Sequence, residues 1–78
     1  MALSELPDDC GSKHVRVFVK FGWVVRRESP HYVLTHPNVK YVTLSIPNHR
    51  SVKLPLLHAQ IKRANLTDKM YRDAYDEL

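Results

Sequence analysis

Cysteine and long apolar runs are the scarcest features of this 78-residue chain. Its single cysteine, Cys10, excludes a disulfide within the chain and a zinc site built on several cysteines. One free cysteine also fits a reducing compartment, so we expect a cytoplasmic protein. No apolar run approaches the roughly 20 residues that a membrane-spanning helix needs. The N-terminal residues lack the basic start and apolar centre of a secretion signal, so we expect no signal peptide there.

Acidic side chains are also scarce in the middle of the chain. Residues 10–66 contain ten Lys and Arg but one acid, Glu28, whereas residues 1–9 carry a net charge of −3 and residues 67–78 one of −2. The net charge of +4 for the whole chain therefore understates how basic the middle is. A basic surface attracts polyanions, and the alternative is a solvated surface whose charge only keeps the protein soluble.

The length of the chain is that of one small domain, and the sequence shows no repeat or low-complexity tract. Such a chain buries roughly 60–65% of the surface that it exposes when unfolded, so its core is small. Residues 1–11 are polar and include Pro7-Asp8-Asp9, and we predict that they form a flexible leader. Residues 12–78 are predicted to form the folded domain.

The segment from Ser12 to Phe21 fits both a helix and a strand. Its valines and phenylalanines recur at helical spacing, but they also alternate as they would in a strand. Ser12 can cap a helix N-terminus, and Gly22 can adopt the positive φ that often follows a helix C-terminus. These capping residues favour the helix.

Three short antiparallel strands are predicted next, at Trp23–Arg27, His31–His36 and Lys40–Ile46. They are rich in β-branched and aromatic residues, and Ser29-Pro30 and Pro37-Asn38 separate them. The connections have a length typical of hairpins. Alternation along the third strand predicts that one face meets a core. One face carries Val42, Leu44 and Ile46, the other carries Tyr41, Thr43 and Ser45, and the pattern leaves open which face meets the helices.

Two helices are predicted in the C-terminal part of the chain. The first runs from Val52 to Ala64, with Pro55 in its first turn and Asn65 as a left-handed cap after it. The second runs from Asp68 to Tyr75 and is N-capped by Thr67. The predicted buried residues of the two helices are Leu54, Leu57, Ile61, Ala64, Met70, Tyr71 and Ala74. The predicted fold class is therefore α+β, with a helix, a three-stranded antiparallel sheet, a helix and a short C-terminal helix.

His31 is the residue that we select as the candidate catalytic group. It begins the second predicted strand, close in sequence to Arg26 and Arg27. An imidazole can accept or donate a proton at neutral pH, so His31 is suited to general acid or base catalysis. A turn histidine without a functional role is the alternative.

Several short motifs, taken in order, resemble the HicA (YcfA-like) toxin family. The resemblance extends over roughly residues 12–71. The motifs are Lys20-Phe21-Gly22-Trp23, Val25-Arg26-Arg27-Glu28-Ser29-Pro30-His31, His36-Pro37, the run from Val42 to Pro47, and Val52-Lys53 through Asn65-Leu66. The sequence departs from the family pattern in two places, because Ser29-Pro30 stands in place of Gly-Ser and Asn65 in place of Gly. Pro30 removes a backbone N–H donor next to the histidine.

The resemblance implies a fold like that of double-stranded-RNA-binding domains. It also implies a type II toxin, an endoribonuclease that cleaves mRNA and is restrained by a HicB-like antitoxin covering the histidine. We expect the cleavage to need no metal and no other cofactor, with His31 as general base or acid. The alternatives are a non-catalytic RNA-binding module of the same fold and a small domain that binds an acidic protein.

Further residues are candidates for parts of such a site. The candidate phosphate contacts are Arg26, Arg27, Arg50, Lys53, Lys62 and Arg63. His49 is a possible second proton carrier, with a surface loop histidine as the alternative. Tyr32 and Tyr41 are expected to pack in the core or across strands, with stacking on unpaired bases as the alternative.

The remaining histidines, His14, His36 and His58, are expected to be at the surface or half-buried, with His36-Pro37 in a turn. Zinc bound by His31, His36 and His49 is conceivable, but no helical His spacing or cysteine partner supports it. We therefore expect no metal site.

Overall fold

The computed structural model describes residues 6–78, which form three helices and one three-stranded antiparallel sheet in the order β1-β2-β3. The elements are α1 (Gly11–Lys20), β1 (Val24–Arg27), β2 (His31–His36), β3 (Val39–Pro47), α2 (Leu54–Arg63) and α3 (Asp68–Asp76). The predicted α+β class and the order of the elements are confirmed. No helix within these residues combines the length and the apolar character needed to cross a membrane.

One cluster of buried side chains joins the helices to one face of the sheet. Phe18, Leu34, Leu44, Leu57 and Tyr71 are fully buried in it, and they come from all three helices and two strands. The strand residues follow the predicted alternation, because Leu44 and Ile46 are buried whereas Thr43 and Ser45 are exposed. We call the opposite face of the sheet the outer face.

The outer face follows from the register of the strands, since residues paired across antiparallel strands share a face. Leu34 pairs with Val25 and with Leu44, which places these three on the core face. Their neighbours along the strands therefore point the other way. The outer face carries Val24, Arg26 and Arg27 from β1, His31, Val33 and Thr35 from β2, and Thr43 and Ser45 from β3.

Left-handed residues end α1 and α2, as predicted. After α1, Gly22 has a φ of 95°, its N–H donates to Val19 O at 3.0 Å, and the N–H of Trp23 donates to Phe18 O at 3.3 Å. After α2, Asn65 has a φ of 62° and takes part in the same pattern. These hydrogen bonds satisfy carbonyl groups that the last helical turn leaves unpaired.

The start of α1 differs from the prediction. Its N-cap is Cys10 rather than Ser12, and no side chain caps it. The N–H of Gly11 donates instead to His49 O at 2.9 Å, and a Cβ added to Gly11 would lie 2.0 Å from Pro47 O. A residue without a side chain is therefore required where α1 begins, because the end of β3 passes directly against it.

The other helix starts and the strand ends are close to the predicted ones. α2 begins at Leu54, later than the predicted Val52, and Pro55 lies in its first turn. Thr67 caps α3 by accepting a hydrogen bond from the N–H of Met70 at 3.1 Å. Met70 itself was predicted to be buried, which is wrong because its side chain is exposed. The strand limits match at both ends of β2 and differ by one residue at the start of β1 and at each end of β3.

Residues 6–11, part of the predicted flexible leader, are packed against the domain. Leu6 belongs to the core cluster. Asp8 Oδ1 accepts from Ser51 Oγ at 2.8 Å, and the carbonyl of Asp9 accepts from the N–H of Val52 at 3.1 Å. The packed domain therefore includes residues 6–11 rather than starting at residue 12. Residues 1–5 of the predicted leader lie outside the described residues.

α2 covers the free edge of β3 with two polar side chains. Gln60 Oε1 accepts from the N–H of Ser45 at 3.1 Å, and Arg63 Nη2 donates to Thr43 O at 3.0 Å. These strand groups would otherwise be available to another chain, since an unpaired edge is a template for strand addition. Gln60 is 8% exposed, so its amide is a buried part of this cover.

Candidate functional site

His31 is exposed at the first position of β2, directly after the turn at Ser29-Pro30. It pairs with Pro47 at the end of β3, and its neighbour Tyr32 pairs with Ile46 on the core face. His31 therefore stands on the outer face, at the end of the sheet from which the chain leaves for α2.

His49 lies next to His31, although it is in a separate loop. The two ring centroids are 6.4 Å apart, with the rings inclined by 67°. Asn48 Nδ2 donates to Glu28 O at 3.4 Å, which ties the His49 loop to the turn before His31. The bond from the Gly11 N–H to His49 O holds the loop from its other side. The structure thus brings together the candidate catalytic residue and the possible second proton carrier.

Arg26 and Arg27 share the outer face with His31. The register between β1 and β2 shifts between Val25 and Arg27, so Arg26 is the extra residue of a β-bulge. Arg26 Nε donates to Thr35 Oγ1 at 3.0 Å, which directs its guanidinium across β2. Arg27 is opposite Val33. Both side chains are exposed, so each can contact a phosphate.

The other four predicted phosphate contacts are spread over α2 and the loop before it. Arg50 follows His49 and is exposed, and Lys53 is exposed at the N-cap of α2. Arg63 is at the β3 edge through its bond to Thr43 O. Lys62 is exposed on the flank of α2 opposite Gln60, because 100° of helix separates successive residues. Lys62 therefore points away from the β3 edge that Gln60 and Arg63 contact.

The two tyrosines considered for stacking have different environments. Tyr32 is half-buried and packs against the core, as expected. Tyr41 was expected to pack as well, and this is wrong because its side chain is fully exposed. Its φ of 67° is in the left-handed region, which is rare for a bulky residue.

The remaining histidines form hydrogen bonds within the fold. His36 is part of the turn, as predicted, since its Nδ1 accepts from the N–H of Asn38 and its Nε2 donates to Phe21 O, each at 3.0 Å. His58 is half-buried, as expected, and its Nδ1 is 2.9 Å from Asp68 Oδ1.

His14 was expected to be at the surface or half-buried, and this is wrong because it is fully buried with its Nδ1 2.6 Å from the Tyr71 hydroxyl. Burial of the ring lowers the pKa of His14, since a charged imidazolium would be desolvated there.

No group of three or more His, Cys, Asp or Glu side chains within residues 6–78 is arranged to hold a metal ion. His36 packs against Trp23, with ring centroids 5.3 Å apart, at the opposite end of β2 from His31. A shared site of His31, His36 and His49 is therefore ruled out by distance along the strand. Metal independence of catalysis itself stays a prediction.

The residues that position the two histidines were missed at the sequence level. Gly11 and Asn48 hold the His49 loop, and Asp8 and Asp9 hold the residues after it. Gly11 carried one usable signal, because it is one of only two glycines and stands next to a predicted helix start. The partners of Asn48 and the aspartates are distant in sequence and leave no local pattern.

Neither a protein-family model nor a curated protein matches this sequence. The geometry provides two exposed imidazoles with ring centroids 6.4 Å apart, and two arginines on the same sheet face as His31. Such a group can bind a phosphodiester and move protons on either side of it.

Proposed function

We propose that this protein is an endoribonuclease that cleaves mRNA by acid–base catalysis. The observation that carries the proposal is the exposed pair of His31 and His49 at one end of an outer face that also carries Arg26 and Arg27. Glu28 is the single acid between residues 10 and 66, so little in this part of the chain opposes the approach of a polyanion.

In the proposed reaction, His31 accepts the proton of a ribose 2′-hydroxyl, and the oxygen attacks the adjacent phosphorus. His49 donates a proton to the departing 5′-oxygen as its bond to phosphorus breaks. The products are a 2′,3′-cyclic phosphate and a 5′-hydroxyl. If the cyclic phosphate is later hydrolysed, one water molecule is added and a phosphate monoester is formed. Rings 6.4 Å apart can each reach one oxygen of the same phosphodiester. Arg26 and Arg27 would hold the phosphate and stabilise the charge that develops on it.

The same proposal includes the biological setting that the motif resemblance implies. The protein would be the toxin of a type II toxin–antitoxin pair with a double-stranded-RNA-binding-domain-like fold, acting in the cytoplasm. Its partner would be a HicB-like antitoxin. Because the His31 side chain is exposed, such a partner would have to cover it to block cleavage.

The test is incubation of purified protein with mRNA in the presence of EDTA, followed by mapping of the cut ends. We expect cyclic-phosphate and 5′-hydroxyl ends from the wild type and no cleavage by His31→Ala. His49→Ala should cleave about 100- to 10,000-fold more slowly, which is the usual contribution of one acid or base group. Equal cleavage by wild type and His31→Ala would refute the proposal. Circular dichroism and urea denaturation of each variant would separate loss of chemistry from loss of fold.

Two comparisons sharpen this test. Arg27→Ala should weaken RNA binding and reduce its dependence on salt more than Lys62→Ala, because Lys62 lies on the far flank of α2. Expression in cells should arrest growth with the wild type and not with His31→Ala. Arrest by both proteins at equal levels would contradict the proposal.

A non-catalytic RNA-binding module is the second candidate, and the turn before His31 favours it. Pro30 provides no backbone N–H beside the histidine, so one donor that could hold a phosphate is missing there. This candidate predicts salt-sensitive RNA binding with the RNA intact afterwards. The end-mapping experiment decides between the two.

A further inference from the structure

Tyr41 is a fully exposed aromatic side chain on a backbone that disfavours it. Its φ is 67°, and bulky residues adopt this region only when the surrounding structure enforces it. Strain of this kind is concentrated at binding and catalytic sites.

The pairing of β2 with β3 shows why Tyr41 points outward. Leu34 pairs with Leu44 and His36 pairs with Val39, so Thr35 alone is opposite residues 40–43. Val39 and Val42 both pack against the core, although they are three positions apart and would be on opposite faces of a regular strand. The positive φ at Tyr41 thus accompanies a break in the alternation of inward and outward side chains. Because of this break, both Lys40 and Tyr41 project away from the core.

The surroundings of this bulge are cationic. Arg26 reaches Thr35 Oγ1 across β2, and Thr35 is the residue opposite the bulge. Lys40 precedes Tyr41 and is exposed. An exposed ring that follows Lys40 in sequence, on the strand opposite the residue that Arg26 contacts, matches a polynucleotide, whose phosphates pair with cations and whose unpaired bases stack on aromatic rings. An apolar protein surface would gain nothing from these charges.

We propose that Tyr41 is a base-stacking residue and that the RNA bound on the outer face is single-stranded there. This inference rests on the proposed function, since it places one strand across the same face as His31 and His49. The bases of a duplex are stacked on each other and offer no free face to a tyrosine. The site would thus select unpaired stretches of mRNA, with Tyr41 at one end of the face and the histidines at the other.

The test uses binding rather than cleavage, so it is carried out in the His31→Ala protein. The probe is a short single-stranded RNA containing 2-aminopurine, whose fluorescence falls when the base stacks. We expect Tyr41→Ala to bind it about 5- to 150-fold more weakly and to lose the quenching, as expected for removal of one stacked base. Tyr41→Phe should keep both the affinity and the quenching, because the ring is retained. Met70→Ala, which shortens an exposed side chain on α3, should match the parent.

Duplex RNA of the same sequence provides the second arm. Tyr41→Ala and its parent should bind the duplex equally, since only phosphate contacts remain. Unchanged affinity of Tyr41→Ala for the single strand, or an equal loss on both RNAs, would overturn the inference while leaving the endoribonuclease proposal standing. Failure of the parent protein to bind either RNA at low salt would overturn both.

Discussion

Replacing Gly22 by alanine should strongly destabilise the fold, because two separate costs meet at this position. Its φ is 95°, and a Cβ there approaches the following carbonyl at a cost of about 1–2 kcal/mol. The added Cβ would also lie 2.7 Å from Nε2 of His36. The ring must then move and lose its hydrogen bond to Phe21 O, which adds about 0.5–1.5 kcal/mol. We expect a decrease of roughly 2–3 kcal/mol in the free energy of unfolding.

Urea denaturation followed by circular dichroism measures this decrease, and a thermal scan should show Tm lower by roughly 10–20 °C for a domain of this size. Asn65→Ala is the matched control, since Asn65 has a similar φ of 62° at the end of α2. It should cost about 1–2 kcal/mol, because only the backbone term applies there.

A double-mutant cycle isolates the contact between the new Cβ and the ring. His36→Ala removes the ring, so Gly22→Ala should cost less in that background than in the wild type. A loss of stability below about 0.5 kcal/mol for Gly22→Ala alone would show that the backbone is not strained there. Strict additivity in the cycle would show that the new Cβ does not contact the ring, and either result would refute the prediction.

Three further predictions concern buried polar groups. Burial lowers the folded-state pKa of His14 below the usual value of about 6.5 for a histidine. As pH drops through that value, the unfolded chain therefore binds the proton first and the free energy of unfolding falls. Urea denaturation across this range should show a smaller decrease for His14→Leu than for the wild type. Gln60→Leu should cost about 1–3 kcal/mol in the same assay, because the N–H of Ser45 loses its buried partner, and a cost near zero would contradict this role. The hydroxyl of Tyr75 donates to Asp9 and is the main cause of the lowered pKa of that carboxyl. Tyr75→Phe should therefore decrease the free energy of unfolding by about 1 kcal/mol at neutral pH. In acid denaturation, the difference in stability between this variant and the wild type should shrink as pH falls through the folded-state pKa of Asp9.

Features with a local cause were predictable from the sequence. Gly22 and Asn65 end their helices because few other residues tolerate a positive φ. Thr67 caps α3 because its hydroxyl reaches an N–H three residues later. The division of β3 into two faces followed from simple alternation. His31 at the start of β2 was predicted as the candidate catalytic residue and is exposed there, whereas its catalytic role stays a prediction.

Features with a distant cause were not predictable. His14 is buried because Tyr71, 57 residues later in the chain, provides a partner for its ring nitrogen. Residues 6–11 pack because Ser51, Val52 and Tyr75 bind the two aspartates, and nothing in the polar leader indicates this. Tyr41 is exposed because the alternation of side chains is broken within β3, and the sequence pattern gives no sign of this break.

β1 lies at the other border of the sheet, and no strand within residues 6–78 pairs with its far side. It has four residues, contains a bulge and ends in Arg26 and Arg27, three features by which natural proteins discourage strand addition from a second molecule. These arginines would then protect the protein against aggregation, independently of the RNA-binding role proposed for them. Substitution of these arginines by valine or isoleucine would not separate aggregation from RNA binding, because an aggregated protein would also lose apparent binding. Glutamine or serine at these positions keeps the border polar and separates solubility from recognition.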